Sequence, residues 1–272
     1  MGMEVSLGQF YRFRTYTQLI IFFLFSCLLA TCNPSITPST SLTIAAASSL
    51  TDAFSEIATA FEEQSPNVNI NFNFAASGLL EKQIAQGAPI DLFASAADAP
   101  MDALAQQGHI VPATRTTFAQ NQLVVIVPVQ DSNKIEPLKD LKDLQVQRLA
   151  IGNPATVPAG SYAKEALESE RLYTRLQQEN KLVFAENVRQ VLTYVEQGNV
   201  DAGIVYATDA AIGNNIGVAL KLSPGLITPI RYPIAVTSES LHPELAKAFI
   251  SFVIRPESQN ILQKYGFVTV EQ

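Results

Sequence analysis

Four short stretches bring small or hydroxyl-bearing residues directly to the start of a helical pattern, a combination suited to holding an anion. The first is Ala45-Ala46-Ala47-Ser48-Ser49-Leu50-Thr51-Asp52, in which Ser49 and Asp52 have the spacing of a capping box, with Asp in place of Glu. The second is Phe74-Ala75-Ala76-Ser77-Gly78, whose glycine lets a ligand come close to the backbone. The third is Val157-Pro158-Ala159-Gly160-Ser161-Tyr162 and the fourth Glu186-Asn187-Val188-Arg189. Each helix start offers N–H groups with no intrahelical acceptor and about half a positive charge. Four of them directed at one point offset roughly two negative charges, which matches a dianion. Singly, each is an ordinary N-cap. Convergence would make them a site, and spacing alone does not show convergence.

Other chemistry is weaker. Ser161-Tyr162-Ala163-Lys164 has the Ser-x-x-Lys pattern of exported penicillin-recognising acyl enzymes, so a serine acyl enzyme using Ser161 and Lys164 is an alternative of another class. Its Ser-Asp-Asn and Lys-Thr-Gly companions are absent, and the stretch reads as a helix start. His109 follows Gly108 in a turn and His242 precedes Pro243 at a helix start; without a Gly-x-Ser-x-Gly they make no hydrolytic triad. No His or carboxylate spacing recommends a protein-ligated metal, no Gly-x-Gly-x-x-Gly follows a strand, and no cofactor is implied. Lys82, Lys164 and Arg189 lie near the four turns and read as solvated helix faces. Asp91, ending a strand, reads as a turn or cap group rather than a base.

Positioning these turns falls to alternating strands and helices. Apolar runs or period-two alternation predict strands at Leu42–Ala47, Val68–Phe74, Ile90–Ala94, Gln122–Pro128, 148–152, 181–184, 202–205 and 231–237. Helical spacing predicts helices at Ser49–Gln64, Leu79–Gln86, Ala99–Gln107, about 160–170, 188–197 and 207–212, with two more starting near Pro243 and Pro256. The run Leu123-Val124-Val125-Ile126-Val127 is apolar throughout, as in a parallel sheet covered on both faces. The alternation means βαβ units and an α/β fold.

Composition agrees. With 272 residues, 47% hydrophobic and 16% charged, the chain is long enough for one large or two ordinary domains, and is neither disordered nor a coiled coil. A net charge of −7 without a long basic run argues against a nucleic-acid partner. Cys27 and Cys32 are the two cysteines, so the body holds neither a Cys-ligated zinc nor a catalytic thiol. Arg12 and Arg14 precede an apolar run from Leu19 to Ala30, too short to span a bilayer comfortably: an export signal over residues 1–31. Leu28-Leu29-Ala30-Thr31-Cys32 resembles a bacterial lipoprotein signal, in which Cys32 becomes the acylated first residue. The alternative is simple cleavage near Thr31 with Cys32 unmodified. Residues 32–41, rich in Pro, Ser and Thr, then form a tether.

Taken jointly, several stretches carry a resemblance. Ala46-Ala47-Ser48-Ser49-Leu50-Thr51-Asp52-Ala53, Phe74-Ala75-Ala76-Ser77-Gly78, Gly87-Ala88-Pro89-Ile90-Asp91-Leu92-Phe93, Val157–Leu167, Glu186-Asn187-Val188-Arg189, Gly203-Ile204-Val205-Tyr206 and Lys264-Tyr265-Gly266-Phe267 are similar to those of the periplasmic molybdate-binding proteins of molybdate ABC importers, over about residues 42–270. The resemblance implies an α/β, two-lobed type II periplasmic-binding-protein fold, with mixed sheets flanked by helices and a ligand cleft between the lobes. Lobe one would comprise 42–123 plus 229–272, and lobe two 124–228. It implies a tetrahedral oxyanion held by the hydroxyls of Ser49, Ser77 and Tyr206 and the backbone N–H groups of Ala159 and Val188, with Ser48 able to share the role of Ser49. No protein atom would ligate the metal directly. It further implies molybdate, with tungstate beside it and sulfate as the alternative oxyanion, an ABC permease and ATPase as partners, no enzymatic activity, and a monomer outside the cytoplasm whose membrane contact is a lipid anchor at Cys32.

Overall fold

An edge strand and its neighbour show how the pattern becomes structure. Val68–Ala75 (β2) alternates apolar residues with Asn69, Asn71 and Asn73, and it pairs in parallel with Thr40–Ala47 (β1), which is buried almost throughout from Leu42 and accordingly apolar on both faces. The computed structural model describes residues 39–129, 138, 141, 146–223 and 225–270. The export signal, Cys32 and the tether up to residue 38 lie outside the described residues. The tether is shorter than expected at its far end. Thr40 and Ser41 already belong to β1, opposite Val68 and Asn69, because the pairing starts at the bond from Thr40 N–H to the Asn67 carbonyl.

Two mixed sheets result. The first has the order β11–β4–β10–β3–β1–β2, with β3 Leu92–Ala94, β4 Thr116–Asn121, β10 Ile230–Val236 and β11 Val268–Thr269. The second has the order β7–β6–β8–β5–β9, with β5 Leu123–Pro128, β6 Leu149–Gly152, β7 Leu182–Ala185, β8 Ala202–Tyr206 and β9 Ile216–Lys221. The chain passes from one sheet to the other at Gln122 and returns between Leu222 and Ile230. The two passages are tied together, since Gln122 Nε2 donates to the Leu222 carbonyl at 2.8 Å and Leu222 N–H donates to the Leu123 carbonyl at 3.0 Å.

Helices α1 (Thr51–Gln64), α2 (Ser77–Ala85) and α3 (Asp98–Gln106) each follow a strand of the first sheet. Helices α4 (Pro158–Ser169), α5 (Tyr173–Gln178), α6 (Val188–Glu196) and α7 (Ala207–Ile212) belong with the second. The closing helices α8 (Pro243–Val253) and α9 (Pro256–Lys264) begin on proline, whose fixed φ and missing N–H suit the first helical position. The first sheet's core centres on phenylalanines: Phe61 meets Phe249 and Phe252 edge-to-face at 5.3 Å, and Phe54 meets Phe118 in a tilted contact at 5.4 Å.

Two expectations need correction. β5 is antiparallel to both its neighbours, β8 and β9, rather than part of a parallel run. Its unbroken apolar sequence records burial on both faces, which strand direction does not determine. β4, β9, β11 and α5 were not foreseen either. In β4 only Phe118 and Ala119 are buried among polar neighbours, so the strand leaves no period to read.

Asp91 is a turn group, as its position suggests. Its Oδ2 accepts from Thr43 N–H at 2.9 Å, and its Oδ1 accepts from the Ser240 hydroxyl at 2.7 Å and from the N–H groups of Leu241 and His242 at 3.0 and 3.2 Å. It thereby ties β1 to the turn that opens α8. Replacing it (Asp91→Ala) strands four donors at a buried position, and urea unfolding should show a loss of about 2–4 kcal/mol.

Candidate functional site

The four helix starts converge. Ala47, Ser48 and Ser49 from the end of β1, Ala75, Ala76 and Ser77 at the start of α2, Ala96 after β3, Val157, Pro158 and Ala159 at the start of α4, Val188 at the start of α6, and Tyr206 at the start of α7 line one small cavity. The cavity is small and suits a compact ligand rather than an extended one. All five residues expected to contact an oxyanion, Ser49, Ser77, Ala159, Val188 and Tyr206, are here and buried, and Ser48 lies beside them.

Local sequence explains the convergence. Ala159 and Val188 occupy the first turns of α4 and α6, where N–H groups have no carbonyl four residues back. Asn187 caps α6 through its side chain, which accepts from Gln190 N–H at 3.0 Å and leaves Val188 N–H free of that role. Gly160 seats α4 against β6: a Cβ there would come within 2.0 Å of the Gly152 carbonyl oxygen. Ser77 Oγ accepts from Ala96 N–H at 3.0 Å, so its own proton remains to be donated. The Tyr206 hydroxyl donates to the Ala96 carbonyl at 3.3 Å, a long contact for an O–H donor that costs little to exchange. Burial pushes the Tyr206 hydroxyl well above the ordinary tyrosine pKa, so it stays a donor. Among the described residues, none that lines the cavity is Asp, Glu, Lys or Arg.

Three sequence readings change here. Ser49 and Asp52 form no capping box: Ser48–Leu50 is a short 3-10 turn ahead of α1, the Ser49 hydroxyl pairs with that of Tyr232 at 3.0 Å, and Asp52 turns to Arg189. Gly78 admits protein backbone rather than ligand. Its N–H donates to the Thr156 carbonyl at 3.0 Å, and a Cβ would lie 2.7 Å from that oxygen. Arg189 is no solvated face; it is three-quarters buried and pairs with two carboxylates. Lys82 and Lys164 do face solvent, with Lys164 Nζ 3.6 Å from Glu168 and over the Tyr173 ring. Ser161 is exposed and outside the cavity, one turn from a lysine that is engaged elsewhere. Asn121 and Tyr232 back the cavity from outside its lining, and Ala96 on the wall holds Ser77 and Tyr206. Nothing in sequence marks them, since all three contacts are long-range.

Two mixed sheets flanked by helices, joined by two passages and enclosing a donor-lined cavity, define a two-lobed binding protein of the type II periplasmic fold. The chain belongs to the family of bacterial extracellular solute-binding proteins, which it matches over residues 42–268. It is 36% identical over 260 residues to YvgL of Bacillus subtilis, named as an ABC transporter substrate-binding lipoprotein, covering 94% of this chain and 98% of that one. It is 38% identical over 230 residues to the molybdate-binding protein ModA of Escherichia coli, covering 83% and 88%. A solved structure, named as the substrate-binding domain of a molybdenum ABC transporter from Clostridium difficile, is 37% identical with a TM-score of 0.66, covering 86% of this chain and all of that one.

Beside the cavity, Arg189 clasps the two halves. It lies 2.6 Å from Asp52 on α1 and 2.7 Å from the wholly buried Asp209 on α7. The contact with Asp209 is close but not a straight hydrogen bond. Burial is the main influence on Asp209 and lifts its pKa from 3.8 to about 7; Arg189 opposes the rise without cancelling it. The folded state therefore holds this proton more tightly than the unfolded chain. The group's stabilising effect is complete below about pH 4 and is lost as pH rises through 7. Asp209→Asn cannot titrate, so the unfolding free energy of wild type minus that of the variant should fall between pH 4 and 7.5 in urea titrations. A flat difference would show that Asp209 is ionised throughout.

Proposed function

We propose that this protein captures molybdate outside the cytoplasm, with tungstate as a second ligand, and delivers it to a membrane permease driven by an ATPase. The observation that carries the reading is the composition of the cavity: three serines, a tyrosine and the helix-start residues Ala159 and Val188, with no lining carboxylate among the described residues. A fully deprotonated tetrahedral dianion has only acceptors, and such a wall offers it donors. Phosphate, which keeps a proton near neutral pH, calls for an acceptor in return. Oriented dipoles rather than ion pairs would supply the attraction, in a space closed from water. The relatives named for molybdate support the choice of ion. Sulfate is the second reading, since it has the same charge and shape, and cavity size would be the discriminator.

On this reading the two sheets mark the lobes, with 42–123 plus 229–272 in one and 124–228 in the other. Ser49 and Ser77 come from the first, and Ala159, Val188 and Tyr206 from the second. The protein is a receptor, not an enzyme, and acts as a monomer at the outer face of the cytoplasmic membrane, anchored through acylated Cys32. The bonds from Gly78 to Thr156 and from Arg189 to Asp52 then hold the lobes together around the ion, in a form a permease can distinguish from an open one.

Isothermal titration calorimetry of residues 33–272 with molybdate, tungstate, sulfate and phosphate tests the proposal. One-to-one binding of the first two, with sulfate silent, is expected. Binding of sulfate or phosphate instead would overturn the ligand but keep the fold, and silence from all four would overturn the receptor. Ser77→Ala should weaken molybdate by about 1–3 kcal/mol without unfolding the protein. Unchanged affinity would remove Ser77 from the site.

A further inference from the structure

A chain of hydrogen bonds runs from the first passage between the sheets to Ser49, and its direction can be worked out bond by bond. Gln122 N–H can only donate, and Asn121 Oδ1 accepts it at 2.9 Å. The other end of that amide, Nδ2, then faces Thr208 Oγ1 at 2.9 Å and the Tyr232 hydroxyl at 3.2 Å, and it too can only donate. Tyr232 oxygen is therefore an acceptor. Ser49 Oγ, at 3.0 Å, is in position to take its proton, with the Tyr206 hydroxyl facing it as well. Ser49 has then received a hydrogen on its oxygen and retains its own, at a position on the cavity wall.

Two further features show that Tyr232 is held for this. The pairing of β10 with β4 shifts register between Tyr232 and Pro233, where β4 carries the extra residue Phe118, and the ring of that residue meets Tyr232 edge-on. The ring is fully buried, edge-on to Phe118, Tyr206 and Phe267, and burial drives its hydroxyl far above the ordinary tyrosine pKa, so its proton is always present.

We propose that Asn121 and Tyr232 are positioning residues that aim the Ser49 proton at the cavity, favouring oxyanions that carry no proton. Ser77 is directed in the same sense by Ala96 N–H. The inference rests on the oxyanion reading above and bears on how it disfavours phosphate: the Ser49 and Ser77 oxygens each already accept one hydrogen bond and keep their own protons to donate, so this part of the wall suits an oxyanion that brings acceptors better than one that must donate a P–OH.

Asn121→Asp tests the relay, because a carboxylate accepts where the amide donated. The Tyr232 proton would turn toward position 121, Ser49 would donate to Tyr232, and the cavity would lose one donor. Calorimetry with molybdate should show a loss of roughly tenfold or more for N121D and only a few-fold loss for Tyr232→Phe. The double variant N121D/Y232F should recover the affinity of Y232F alone, since without the phenol hydroxyl the new carboxylate has no hold on Ser49. Inorganic phosphate should gain on molybdate in N121D.

An N121D loss that persists in the double variant would mean that its charge acts directly, and would overturn the relay. Unchanged affinity in Y232F would overturn it as well, and decides the matter alone if thermal melts show that N121D does not fold. Wild-type protein that binds no oxyanion would overturn both this inference and the proposed function. Binding by wild type with Tyr232 indifferent would overturn only this one.

Discussion

Peptide and hydroxyl donors from five helix starts meet at one cavity only if the segments that carry them approach to backbone contact, and the rest of the structure depends on that approach. Side chains on those segments must be small wherever two main chains meet. Gly160 lies against Gly152 where α4 meets its sheet, and Gly78 lies against Thr156 where the two halves touch. The alanines at 47, 75, 76, 96 and 159 serve the same end. An arginine or lysine would bring charge to the cavity with fewer helices, but it would fill the space and bind many anions alike.

Charge is kept to one side. Arg189 begins one residue beyond an amide of the cavity wall, yet its guanidinium is turned to Asp52 and Asp209 and none of it lines the cavity. The pairing of a half-exposed carboxylate from one half with a buried one from the other gives this cation a bridging task. Its neighbours α6 and α7 are thereby fixed against α1.

Much of this was legible in the sequence because it is local. Helix starts at Pro243 and Pro256, the turns at Gly87 and Gly108 with φ of 85° and 80°, and the alternation of Val68 to Phe74 each depend on residues within one turn or one strand. The five candidate residues were reached through motifs, and their convergence could be seen only in the structure. What stayed hidden was long-range. Tyr232 sits in an apolar strand and reads as core, with nothing near it in sequence to reveal Ser49, 183 residues away. Arg189 looks like any polar position on an amphipathic helix until α1 and α7 are brought to it. β5 misled for a related reason, since an apolar run reports how deeply a strand is covered and not which way its neighbours run.

Strand order also governs how the molecule can be assembled. β10 lies in the middle of the first sheet, between β3 and β4, although residues 230–236 come after the whole second sheet in the chain. A growing polypeptide that has not reached residue 230 therefore holds β1 to β3 and β4 as separate pieces, with unpaired edges and a half-covered core. The Tyr232 hydroxyl arrives with the strand that joins them. Completion of the scaffold and completion of the polar wiring behind Ser49 are thus one event, and a truncated chain can have neither.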